Sequence, residues 1–113
     1  MNFDYSDEFL KDFKKLKKKF PSLDGDLKNF EKFVAGVDFD NNNSFVVLVK
    51  DDGKGVKIIK TRLMVRSLKG KSKTRLIFSF CLREGSIYFI EIYLKNQKNR
   101  EDTERIDDYL NSL

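Results

Sequence analysis

The apolar residues of this chain change their spacing near Asp38, and that change fixes the fold class. Ahead of it, Phe9, Phe13, Leu16 and Phe20 recur at intervals of four and three, the period of a helix that buries one stripe. Beyond it, apolar and polar residues alternate from Val56 to Val65, and Ile87 to Leu94 is apolar on nearly both faces, as in a strand flanked on both sides. A helical part followed by a run of strands within 113 residues reads as one α+β domain spanning 1–113.

Local signals set the boundaries. Met1 to Tyr5 alternates like a short strand. Ser6 is a candidate N-cap, Asp7 and Glu8 complement the first helical turn, Lys17 to Lys19 the last, and Pro21 stops the helix. A second helix follows Ser22, with Leu27, Phe30, Phe33 and Val34 on its inward face and Gly36 as terminator. A link of about three residues makes the two a helical hairpin. Lys14, Lys15 and Lys17 to Lys19 read as the solvated face of the first helix.

Asp38 to Ser44 is loop, and Phe45 to Val49 is a short strand candidate before the Asp52-Gly53 turn. Three strands, Val56 to Val65, Thr74 to Leu82 and Ile87 to Leu94, then form an antiparallel meander. From about Glu101 a closing helix turns Ile106, Tyr109, Leu110 and Leu113 inward. The expected architecture is a helical hairpin and a C-terminal helix on one face of a small, mainly antiparallel sheet, in the order β-α-α-β-β-β-α.

Charge is distributed unevenly. The net charge is +5, yet residues 1–52 carry 9 basic and 11 acidic side chains and residues 84–113 carry 4 and 7. Residues 53–83 hold ten basic side chains and no acid. Such a block repels itself unless an anion compensates, which points to a phosphate backbone or an acidic protein.

With no His, and with Cys81 the one cysteine, a His-based triad, a Cys/His zinc site and an intrachain disulfide are excluded. No Walker loop or glycine-rich dinucleotide fingerprint is present, so no nucleotide cofactor is expected. The acidic groups Asp38/Asp40, Asp51/Asp52 and Glu101/Asp102/Glu104 fall in loops or helix starts and read as surface features, with no metal expected. The longest uncharged stretch, Asn41 to Val49, is far short of a membrane span, and Asp4, Asp7 and Glu8 precede any apolar run, the wrong order for a signal peptide. A cytoplasmic protein is expected.

The chemistry left is that of Lys and Arg. Lys60 and Arg62, two apart on one strand, point the same way about 7 Å apart. Arg75 opens the next strand and Lys95 closes the last, so four cations from three strands can converge on one anion. Such a set suits RNA cleavage: a 2′-OH loses a proton and attacks the adjacent phosphorus while Arg and Lys stabilise the charge gathering on its oxygens.

Three segments carry a resemblance. Lys60-Thr61-Arg62-Leu63, Gly70 to Phe78 (GKSKTRLIF) and Ile87 to Asn96 (IYFIEIYLKN) resemble the core of RelE/HigB-type toxins of bacterial type II toxin–antitoxin modules. Phe9 to Leu23 is similar to that family's first helix and its exit. The resemblance implies a RelE-like microbial RNase fold, ribosome-dependent endonucleolytic cleavage of mRNA and a neutralising antitoxin. It implies catalytic roles for Lys60, Arg62, Arg75 and Lys95, and RNA-backbone contacts from Lys71 and Lys73, to which Lys57, Arg66, Lys69, Lys98 and Arg100 are added as candidates. The chain departs from the family where Lys73-Thr74 replaces a frequent Gly-Gly pair, and where a His or Tyr near the end of the last strand is replaced by Asn96 to Arg100, leaving Tyr93 as the nearest phenol.

Two other readings share this scaffold. One is a ParE-like toxin that inhibits DNA gyrase by binding. The other is a non-catalytic RNA- or ribosome-binding protein. In the toxin reading an acidic, amphipathic antitoxin segment covers the basic sheet or replaces the last helix.

Overall fold

A computed structural model describes residues 1–68 and 73–113. Its elements are β1 (Asn2–Tyr5), α1 (Asp7–Lys19), α2 (Leu23–Val34), β2 (Phe45–Asp51), β3 (Val56–Leu63), β4 (Thr74–Cys81), β5 (Ser86–Leu94) and α3 (Thr103–Asn111), with short 3-10 turns at Phe39–Asn41 and Arg66–Leu68. The class is α+β, as expected. The order is β-α-α-β-β-β-β-α: the strand candidate Phe45 to Val49 is a full strand, Phe45 to Asp51, paired with β3 from Phe45↔Thr61 to Asp51↔Val56, which adds one strand to the expected order.

The helix ends obey the local signals. Ser6 Oγ accepts from the Phe9 amide at 3.0 Å, capping α1. Pro21 disfavours helical geometry at the residue before it, and Phe20 leaves the helix with φ −124° and ψ 87°. Asp102 caps α3 by accepting from the Glu104 and Arg105 amides.

The sheet is ordered β1-β5-β4-β3-β2, antiparallel throughout except that β1 runs parallel to β5, with Phe3 opposite Ile87 and Tyr5 opposite Phe89. The last meander strand, β5, is therefore interior, which accounts for its apolar character on both faces. Its pairing with β4 slips between Ile77↔Glu91 and Phe78↔Phe89, leaving Ile90 as an extra residue. This bulge reverses the alternation. Without it Glu91 would share the face of Phe89 and enter the aromatic core; with it Glu91 lies beside Ile77 on the opposite face.

The two faces are covered by different helices. Against α1 and α2 lies an aromatic core in which Phe89 stacks on Phe9 at 5.3 Å and Phe30 meets Phe78 edge-on at 5.9 Å. On the other face Ile58, Ile77, Ile90 and Tyr93 pack against Ile106 of α3, with Tyr88 stacked on Tyr109 at 5.0 Å. The expectation that all three helices share one face is thus corrected. An apolar stripe says that a helix is covered, not which side of a sheet covers it. Leu113, expected inward, is exposed because α3 ends at Asn111. Arg105 clamps α3 to α1 around the edge of the sheet, bonding Asp12 at 2.7 Å and Glu8 at 3.0 Å.

Candidate nucleic-acid interface

Strand pairing builds the site row by row. Lys60 lies opposite Ile77, which lies opposite Glu91; one step along, Arg62 lies opposite Arg75, which lies opposite Tyr93. Cross-strand partners share a face, so Lys60, Arg62 and Arg75 stand together on the side that carries α3. Lys95 follows β5 directly, and its amide donates to the Lys73 carbonyl at 2.7 Å. All four candidate catalytic cations, Lys60, Arg62, Arg75 and Lys95, line one open depression of about 1050 Å³.

Their environments differ. Arg75 is buried, 7 % exposed, and its guanidinium is held below the usual arginine range, first by burial and then by Arg62, with Tyr93 acting in the opposite sense. Arg62 and Lys95 are exposed. Lys60 contacts the partly buried Glu101 at 3.4 Å. Among the described residues the Tyr93 hydroxyl and the Thr74 hydroxyl, both buried at this end of the sheet, have no hydrogen-bond partner.

The acidic flanks of the sequence fold back onto the basic block. Asp40 holds Lys57 at 2.7 Å, Asp26 holds Arg66 at 3.0 Å and Glu101 holds Lys60. Lys57 is 6 % exposed and lies opposite Phe80, on the face of the aromatic core, so it does not join the cation group. Arg66 lines the depression but is tied to α2: Asp26 accepts from both its Nε and its backbone amide. Gly25 leaves room for that guanidinium, since a Cβ there would come within 2.7 Å of Nη2. Lys98 is bonded to the buried Glu91 and lies 5.7 Å from the Tyr93 ring centroid. Lys73 and Arg100 are exposed. Lys69 and Lys71 lie outside the described residues.

Glu91 organises the connection that follows β5. It is 2 % exposed, accepts from the Asp102 amide at 2.8 Å and binds the Lys98 ammonium, so the middle and the far end of the segment between Lys95 and α3 are pinned to one carboxylate. The same segment delivers Glu101 to Lys60.

The depression has a second wall that the sequence reading did not assign to the site. It wraps round the start of β2, which begins at Phe45 opposite Thr61 while β3 continues to Leu63. There Phe33, Val46 and Met64 are 58 %, 54 % and 61 % exposed and line the same space as the cations. Phe33, expected in the core, stacks on Phe45 at 6.3 Å and 19° with its outer side in solvent.

The arrangement provides a concentration of positive charge, two primary amines for proton transfer and an apolar lip. Among the described residues no group of three or more His, Cys, Asp or Glu is placed to hold a metal ion, and no helix is long and apolar enough to cross a membrane. No family model matches the chain, and no curated protein or solved structure shows significant similarity to it.

Proposed function

We propose that this chain is an mRNA endonuclease toxin of the RelE/HigB type, with a RelE-like microbial RNase fold, acting in the cytoplasm on mRNA bound to the ribosome and restrained by an antitoxin. The observation that carries the reading is the convergence of Lys60, Arg62, Arg75 and Lys95 on one open depression. Four cations gathered on one open surface suit a ligand rich in anionic oxygens. The resemblance of the strand segments supports the same reading.

In the proposed reaction the scissile phosphate sits against Arg62 and Arg75. The 2′-oxygen attacks phosphorus as its proton passes to a lysine amine, the bond to the 5′-oxygen breaks, and that oxygen takes a proton from a second donor. A 2′,3′-cyclic phosphate and a 5′-hydroxyl end result. Arg62 and Arg75 stabilise the charge on the equatorial oxygens, and Lys60 and Lys95 are the proton-transfer groups. The neutralising partner is an antitoxin whose acidic, amphipathic segment covers the cations.

Induced expression followed by primer extension on cellular mRNA is the test. Cuts within translated codons are expected, lost in the folded Arg75→Ala, Lys95→Ala double variant. Uncut transcripts together with gyrase-dependent DNA breaks would replace this reading with the ParE-like one. The Lys60–Glu101 contact favours a second reading, a non-catalytic RNA- or ribosome-binding protein, because it engages one proposed amine with a carboxylate. Ribosome binding by purified protein without any cleavage would establish that alternative.

A further inference from the structure

Three of the large apolar side chains left exposed among the described residues, Phe33, Val46 and Met64, gather in the depression that holds the cations. Solvent-exposed aromatic rings fixed beside a phosphate-binding surface have a specific use in proteins that grip single-stranded nucleic acid: unstacked bases lie on them. We infer that Phe33 is the platform for a nucleobase of single-stranded RNA whose neighbouring phosphate lies on Arg62 and Arg75, the nucleotide straddling the start of β2. The inference rests on the RNA reading of the site and names the state of the substrate, a strand with its bases splayed out rather than a duplex.

The geometry suits a platform. Phe45, buried in the core, packs against the Phe33 ring at 6.3 Å with an angle of 19° between planes, and more than half of Phe33 remains exposed, which leaves ring surface for a base. Met64 supplies a flexible, polarizable side chain to the same space. Asn29 and Asn43 line the same space, each with an amide that both donates and accepts and so can meet a base edge. The volume of about 1050 Å³ is at the upper end for a small-molecule site and accommodates more than one nucleotide. Charge argues against an apolar protein segment as the occupant, because the opposite wall carries Arg62, Arg75 and Lys95.

The test is fluorescence anisotropy of the full chain with a labelled 2′-O-methyl oligoadenylate, which cannot undergo 2′-oxygen attack, and with the same oligomer made abasic at every position. The wild type is expected to bind the base-bearing oligomer about 5- to 100-fold more tightly than the abasic one. Phe33→Ala removes most of that preference and leaves the abasic affinity unchanged, whereas Phe33→Trp preserves it. Equal affinity of the wild type for both oligomers would overturn the inference, as would a base preference that survives in folded Phe33→Ala. So would an acidic peptide that binds in a Phe33-dependent way while the oligomers are not distinguished. Because these oligomers are uncleavable, base preference without mRNA cleavage leaves the platform standing and removes the nuclease, and cleavage without base preference does the reverse.

Discussion

Arg62 and Arg75 face each other directly across the β3–β4 ladder, two guanidinium groups at one rung, the first exposed and the second buried. Like charges opposite one another in a sheet oppose pairing, and Arg62 is one of the two causes that lower the affinity of Arg75 for its proton. Function and stability therefore conflict at this rung. Arg62→Gln is expected to leave the unfolding free energy unchanged or to raise it by about 0.5 kcal/mol, while weakening RNA binding. Urea unfolding and anisotropy on the same preparations decide it, and a loss of stability above about 1 kcal/mol would contradict the repulsion.

Lys57 carries one of the ten charges of the basic block, yet it lies on the other face with Asp40. Lys57→Ala should cost about 1 kcal/mol, mainly through lost packing of its stem, since Asp40 is exposed and rehydrates readily. RNA affinity should not change. A drop in affinity equal to that of Arg62→Gln would place Lys57 among the ligand contacts after all.

Glu91→Ala is expected to reduce stability by about 2 kcal/mol, because the Asp102 amide loses its acceptor, whereas the half-exposed Lys98 ammonium turns to water. It should also weaken RNA binding, since Lys98 and the segment after Lys95 lose their fixed positions, while Lys95 itself stays tied to Lys73 through its amide. Hydrogen exchange of the amides between Lys95 and Asp102 should speed up while those of β4 stay protected.

Burial pushes the phenols of Tyr5, Tyr88 and Tyr109 above their ordinary value of 10.0. Groups whose folded pKa is raised contribute stability that is complete below the unfolded pKa and is lost as pH climbs through the folded one. Their contribution should therefore be constant through neutral pH and fall above pH about 10. Tyr88→Phe removes one of the three titrations, so thermal melts across the alkaline range should show a shallower decline than in the wild type.

Much of this was readable from residue order. Ser6, Pro21 and Asp52-Gly53 act through local backbone chemistry, which does not depend on what folds around them, and the strand from Val56 follows from alternation alone. The placement of Lys57 was also legible: it has the parity of Ile59 and Thr61, not of Lys60 and Arg62. So was a sign at Phe33, which at 3.6 residues per turn lies about 90° from the centre of the stripe formed by Leu23, Leu27, Phe30 and Val34. What local order does not encode is long-range. The side of the sheet taken by α3, the parallel seam of β1 and the pairing of Glu101 with Lys60 depend on contacts between distant residues. The bulge at Ile90 was equally hidden, because residues apolar on both faces carry no mark of an extra residue in the count, and Glu91 alone does not say which face it takes.

The parallel seam has a consequence for how the protein comes into being. It joins Asn2 to Ser86, so the sheet cannot close, and α1 cannot settle onto Phe89, until β5 has been made. Lys95 arrives later still. Contacts of such separation form slowly and late. A protein whose proposed target is the translating ribosome thereby keeps its cation wall incomplete while everything from Asn2 to Leu94 is being made.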